Sequence, residues 1–371
     1  MQERSYYMDN KIIINTISFF IILSSSNSTV AGTINLPQTG QTKCYDTAGN
    51  QIPCARTGQD GEIQAGIAWP NSRFVDNGDG TLTDRLTGLV WTKNANLPGT
   101  GISWYQAMDY VAGMNAGTHH NYDHTDWRLP NINELESLMN ADEGNTAAWL
   151  NSKGFINIQQ LYYWSSTTNA YYPDFAWFVG MSNGFVYDGH KSSNCYSLWP
   201  VRAGQCGNSV ICLPKTGQKT SYYSGDDGVL GKGVAWPNPR FTDNADGTII
   251  DNLTSLMWTK NANESWGSWE GALHYVAGMN AGTYQNYGHN DWRLPNINEL
   301  RSLIDYSRYS RPPPQNHPFT NLQAFNYWSS TTLAHSPYGA WFVSIYFDFV
   351  YYSNKSYSSC VWPVRGGGSK K

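Results

Sequence analysis

The decapeptide DWRLPNINEL at residues 126–135 returns letter for letter at residues 291–300. In its first occurrence Asn131 is followed three positions on by Glu134, the reciprocal capping pattern that opens a helix, with Pro130 just outside it. Ile132, Leu135, Leu138 and Met139 then fall on one face, so a short helix is expected there, and Asn296 with Glu299 opens its twin. Asp126 with Arg128, like Asp291 with Arg293, is expected to form a structural ion pair at the helix entrance, not a catalytic pair.

Working outward, the identity widens into a duplication. GIAWPNSRFVDNGDGTLTDRLTGLVWTKNAN from residue 66 returns as GVAWPNPRFTDNADGTIIDNLTSLMWTKNAN from residue 233. YVAGMNAGT (residues 110 and 275), YWSSTT (163 and 327) and WPVR (199 and 362) follow in the same order. A period of about 165 residues is too long for a solenoid and long enough for a domain with its own core. The expected organisation is a leader over 1–31, a first domain over 32–205, a linker over 206–218, a second domain over 219–367 and a tail over 368–371. LPQTG at residue 36 and LPKTG at residue 213 resemble a sortase signal, but neither precedes a C-terminal apolar tail, and both are read as linker turns.

Each copy reads as α+β. RFVDNGDGTLTD holds two short β-rich runs around a turn signal, the mark of a hairpin. Its Asp76, Asp79 and Asp84 do not match the spacing of a calcium loop and are read as turn residues. Ser103 with Gln106 opens a helix whose apolar positions are Ala107, Met108, Val111 and Ala112. Beyond Trp164 the composition turns to Tyr, Ser, Asn, Gly and Phe in alternating stretches, which reads as strands. Seven tryptophan pairs match between copies: Trp69 with Trp236, Trp91 with Trp258, Trp104 with Trp269, Trp127 with Trp292, Trp164 with Trp328, Trp177 with Trp341 and Trp199 with Trp362. Matched positions favour a scaffold role, because each half must build the same core.

Composition narrows the function. Charged residues are 14% of the 371-residue chain, below the ~25% of an average soluble protein, and the net charge is −4. With no basic stripe to displace counterions, nucleic-acid binding is not expected. The apolar run IIINTISFFIIL at residues 12–23 follows Lys11 and precedes small residues at Thr29 and Ala31. It is shorter than the ~18 residues of a membrane span and reads as a secretory signal peptide. The mature chain is therefore expected to be secreted or held at the cell surface, without a membrane span. Cys44 and Cys54, and Cys206 and Cys212, each bracket a short turn-rich segment and are expected to form disulfides, leaving Cys195 and Cys360 open. No CxxC occurs, so zinc is not expected, and no cofactor is implied.

The motifs WxxA in the first helix, DWRLPNxxEL, YWSSTT, AWFV and WPVR, in this order and twice over, resemble the Lcl C-terminal-type domain family, a bacterial extracellular group. The resemblance spans roughly residues 66–203 and 233–366. It implies a C-type-lectin-like fold, similar also to formylglycine-generating enzymes, whose SWxxA and RLPTEAEWE segments parallel SWYQA at residue 103 and RLPNINELE at residue 128. Those enzymes use a cysteine pair, whereas each copy here has one, Cys195 or Cys360, out of register with its twin. The family's namesake adhesin binds sulfated glycans and carries a collagen-like stalk; no Gly-X-Y repeat occurs here, and the negative net charge does not suit a polyanion.

The copies diverge unevenly. Across residues 126–138 the single change is Glu136 to Arg301, whereas thirteen of the twenty-two positions from 169 to 190 differ from their counterparts. That stretch supplies the candidate ligand-binding residues: Tyr171, Tyr172, Asp174, Phe175, Ser182, Asn183, Asp188 and His190 in the first copy, and His335, Tyr338, Tyr346, Phe347, Asp348, Tyr352 and Asn354 in the second. Drift of solvent-facing loops is the competing explanation. The palette matches that of antibody loops, where Tyr gives contact area at low entropic cost, and it matches what adenine-directed retroelement diversification yields from AAY codons. The expected function is adhesin-like binding of an extracellular protein or carbohydrate, with a structural spacer or a formylglycine-generating type of enzyme as alternatives.

Overall fold

A computed structural model describes residues 33–204, 209–308, 316–345 and 349–366. The expected leader, Cys206, and Tyr346, Phe347 and Asp348 lie outside the described residues. The first copy contains β1 (Cys44–Tyr45), β2 (Gln51–Ile52), α1 (Asp60–Ile63), β3 (Phe74–Asp76), β4 (Thr81–Asp84), β5 (Leu89–Thr92), α2 (Trp104–Asn115), α3 (Ile132–Glu136), α4 (Thr146–Ser152), β6 (Tyr162–Thr168), β7 (Phe175–Gly180), β8 (Val186–His190) and β9 (Val201–Ala203). The second follows with α5 (Asp227–Leu230), β10 (Phe241–Asp243), β11 (Thr248–Asp251), β12 (Met257–Thr259), β13 (Ser265–Gly267), α6 (Trp269–Asn280), α7 (Ile297–Arg301), β14 (Asn326–Thr332), β15 (Gly339–Ser344), β16 (Val350–Asn354), β17 (Ser359–Val361) and β18 (Val364–Arg365). The structure is α+β, mostly sheet with few and short helices.

Local sequence accounts for the elements. The turn at residues 77–80 closes the β3–β4 hairpin, with Phe74 opposite Asp84. Asp79 accepts from the Thr81 backbone N–H and hydroxyl, Asp76 pairs with Lys93 and Asp84 with Arg73, so all three carboxylates serve the hairpin. Full capping boxes open α2, α3 and α7, as the sequence patterns require. Two details differ. Ala112 is exposed and Met114 takes the inward place on α2, while α3 ends at Glu136, so Leu138 is buried from the loop that follows.

Asp126 and Arg128 do not pair. Residues two apart in extended chain share a side, but here the chain turns into α3 and Arg128 follows it inward. Its guanidinium lies 2.5 and 2.6 Å from the Glu134 carboxylate, both side chains being buried. Asp126 stays outside and meets Arg202 at 2.6 Å, and Arg293–Glu299 and Asp291–Arg365 repeat both pairs. The inner pair binds the capping glutamate that also accepts from the Asn131 N–H, so it locks the entry of α3.

Each copy owns a four-stranded sheet, β3-β4-β5-β9 or β10-β11-β12-β18, in which its last strand closes on its third. The remaining strands form one sheet shared by both copies, in the order β13-β17-β14-β15-β16-β8-β7-β6. It becomes continuous where β8 and β16 run antiparallel with Val186 opposite Val350. One face carries a core drawn from both copies, in which the Trp177 and Tyr306 rings meet at 5.4 Å; the other carries a smaller core in each copy, beneath α2 and α6. The expectation of one independent core per copy therefore holds only for the smaller layer. Six of the seven matched tryptophan pairs are buried; Trp69 and Trp236 are partly exposed.

The segments read as linker turns are part of the fold. Ile211, Thr216 and Gln218 are buried, as are Ile34, Thr39 and Gln41. Each segment crosses to the opposite copy, where its backbone polar groups find partners that a solvent-exposed turn would leave to water. Among the described residues no helix is long and apolar enough to cross a membrane.

Candidate functional site

The β6–β7 turn is held from within. Asn169 donates from its amide to Asp188 at 2.6 Å and accepts from the Tyr171 and Tyr172 backbone N–H groups at 2.8 and 3.3 Å. Lys191 N–H donates to the Asp174 carbonyl, tying the turn to the end of β8. On this frame the Tyr171 and Tyr172 rings meet edge to face at 4.2 Å, Tyr172 lies 5.8 Å from Phe175, and Phe175 lies 5.3 Å from His190. Tyr172 is 54% exposed and Tyr171 38%. Burial raises the Asp188 carboxyl above its ordinary range, with the Asn169 amide opposing that shift. Tyr171, Tyr172, Asp174, Phe175, Asp188 and His190 are thus brought together at one end of the shared sheet.

Ser182 and Asn183 are not part of this cluster. They occupy the β7–β8 turn at the opposite end of the strands, where the Asn183 side-chain Oδ1 accepts from the Phe185 N–H. Phe185 stacks on Tyr352 with centroids 5.4 Å apart and lies 4.3 Å from Tyr351. This turn, with Tyr352, therefore belongs to the junction between the copies. A period-two reading places these residues on strands but cannot say which hairpin end meets a second copy.

In the second copy His335 and Tyr338 are exposed on the β14–β15 turn, and Asn354 accepts from the Ser356 backbone and hydroxyl. Packing against one side of the ring lowers the His335 imidazole below its usual range by partial desolvation. This turn has a neighbour: Gly49, at the tip of the β1–β2 hairpin, lies so close that a Cβ built on it would stand 3.0 Å from the Tyr338 nitrogen. The hairpin is closed by a Cys44–Cys54 disulfide, as expected. A cleft lined by Tyr45, Asp46, Ile52, Arg56, Leu273 and His274 separates it from α6. Sixteen residues separate Gln41 from Gly58 but six separate Gln218 from Gly225, and among the described residues the segment that crosses to the first copy has no matching hairpin.

Cys212 is also disulfide-bonded, and its expected partner Cys206 lies outside the described residues. Cys195 is a free, exposed thiol and Cys360 a free, buried one, whose pKa burial pushes up to about 12.

Two buried lysines were missed from the residue pattern. Lys355 donates to the Tyr45 and Asp46 carbonyls at 3.3 and 3.1 Å and sits 4.1 Å from the Trp269 ring centroid. Lys191 lies 4.2 Å from Trp104 and 5.1 Å from Tyr222. Burial lowers their pKa to about 7 and about 8. The signal was present: a Lys-Ser pair unchanged between copies directly after a divergent stretch.

Residues 80–202 and 247–365 match the family model of the Lcl C-terminal domain. The chain belongs to this family. No curated protein matches it. The matched Lcl C-terminal domains begin inside the turn of each four-stranded sheet, leaving both crossing segments outside. Within them residues 169–190 and their twins carry much of the divergence, while six tryptophan pairs and the capping boxes of α3 and α7 are common to both.

Proposed function

We propose that this is a secreted or cell-surface binding protein in which two Lcl C-terminal domains of C-type-lectin-like kind present different aromatic turns to an extracellular protein or carbohydrate ligand. The observation that carries this reading is the exposed cluster of Tyr171, Tyr172, Asp174, Phe175 and His190 on a turn pinned by Asn169, beside a scaffold that its twin repeats. Tyrosines on a preorganised turn offer contact area without much entropy to lose on binding. Gly180, Met181, Gly184 and Gly189 also differ between copies but are buried, which narrows the contact face to the turn and the end of β8. Retroelement diversification would add variety at the same turn, and AAY codons there are its signature.

The test compares the wild type with the triple variant Y171A/Y172A/D174A on glycan and protein arrays. The variant should lose at least tenfold in apparent affinity for a ligand of the first copy and keep its Tm within about 2 °C, as surface changes do. A large fall in Tm would make the turn part of the scaffold, and unchanged binding of every ligand found would move the contact face elsewhere.

A further inference from the structure

The two crossing segments dock by the same set of contacts. From the first segment, Thr39 and Thr331 both donate to Asp60, at 2.6 and 2.7 Å. Gln41 exchanges two hydrogen bonds with the Thr332 backbone, and the amides of Asn296 and Asn298 donate to the Ala65 and Pro37 carbonyls. From the second, Thr216 and Thr167 donate to Asp227, Gln218 exchanges two bonds with the Thr168 backbone, and Asn131 and Asn133 donate to the Lys232 and Pro214 carbonyls. In these contacts the grooves are equivalent, and the segments differ only beyond them, where the first carries the Cys44–Cys54 hairpin. These contacts cannot by themselves select which copy receives which segment.

The copies are related by an approximate two-fold axis, since matching positions touch across it. Val186 pairs with its own counterpart Val350, and the Phe185–Tyr351 contact is repeated as Tyr187–Phe349. On the same axis, at the ends of α3 and α7, Glu136 Oε1 stands 3.0 Å from Arg301 Nε, with side-chain exposures of 7% and 8%. Around them the cleft is lined by matched residues, Trp69 with Trp236 and Ser137 with Ser302. Position 136 is also where the otherwise identical thirteen-residue stretch changes. A pairing of two first copies from different chains would bury Glu against Glu, and of two second copies Arg against Arg, while the Val186–Val350 type of pairing and the aromatic contacts beside it would find like partners. Buried like charges are strongly unfavourable.

We propose that Glu136 and Arg301 are the specificity determinant of an isologous interface whose partner is the unlike copy, so that segments are exchanged within one chain and like-with-like association between chains is rejected.

The test uses the full chain with E136R, R301E, E136R/R301E and E136Q/R301Q, read by thermal unfolding and by light scattering after refolding at high concentration. Each single reversal should lower Tm by roughly 5 °C or more, and the double reversal should recover to within about 2 °C of the wild type. If the single variants do not accumulate, the double reversal still decides: a folded protein near wild-type Tm supports the pairing, and failure to fold overturns it. E136Q/R301Q, without either charge, should fold and yield dimers on refolding where the wild type stays monomeric. Single reversals as stable as wild type, a double reversal that loses the sum of the two, or an E136Q/R301Q chain that refolds as a monomer each overturn the proposal.

Discussion

Asp60 and Asp227 show how a single residue can tie the copies together at a cost. Each carboxylate is buried and accepts two threonine hydroxyls, one from its own segment and one from the copy it crosses to. Burial is the larger effect and raises both pKa values to about 6, against the hydroxyl donors that pull them down. The folded state therefore holds a proton that the unfolded chain, with an ordinary carboxyl near 3.8, has released. Stability from these groups is full below the unfolded value and is lost as pH rises from about 4 to about 6, by at most about 3 kcal/mol each. D60N and D227N, which keep an acceptor for the threonines without a charge, should flatten this part of the stability curve and leave the protein at least as stable at pH 7. Urea melts of wild type and variants at pH 4, 5, 6 and 7 check it, and a difference between wild type and variant that does not change through this range would contradict it. Neither residue stood out in the sequence, because an Asp beside Gly reads as a surface turn unless its partner, 271 residues away for Asp60 and Thr331, is known.

At the scale of elements, what could be read were the features set by near neighbours. Asn131 and Glu134 define α3 whatever surrounds it, and the turn at residues 77–80 makes its hairpin alone. What could not be read was where an element's second valence goes. Asn296 caps α7 with its carbonyl oxygen, which accepts from the Glu299 N–H, while its amide donates across to Ala65 at 3.1 Å. One side chain therefore does two jobs, and substitutions separate them. N296A should cost about 2 kcal/mol, a cap plus a buried hydrogen bond, and N296S, which keeps the cap but cannot reach Ala65, about 1 kcal/mol. Chemical denaturation measures both, and equal losses would mean that the crossing bond contributes nothing. The LPQTG and LPKTG segments were misread for a related reason: short polar, Pro- and Gly-containing stretches have the composition of turns, and their burial depends on a groove in the other copy.

At the scale of the whole molecule, duplication implied two domains in series, and the two copies instead share one compact unit. The shared sheet runs through β8 and β16, the larger core takes side chains from both copies, and each copy is completed by the other's segment. Had each copy kept its own segment and core, the chain would unfold in two steps, as beads on a string do. Here, unfolding the first copy strips β16 of its neighbour, exposes half of the shared core and withdraws Asp60 and Gln41 from the second. An intermediate with one intact copy would keep only its smaller core and lose the larger shared one, so calorimetry should show one transition whose van't Hoff and calorimetric enthalpies agree. Two resolved transitions, or a van't Hoff enthalpy near half the calorimetric value, would mean that the copies unfold separately and that the crossing contacts are marginal. The same coupling holds the turn at Tyr171 and its counterpart at Tyr338 on one continuous sheet, so any ligand of both would meet them without the entropy of a flexible linker.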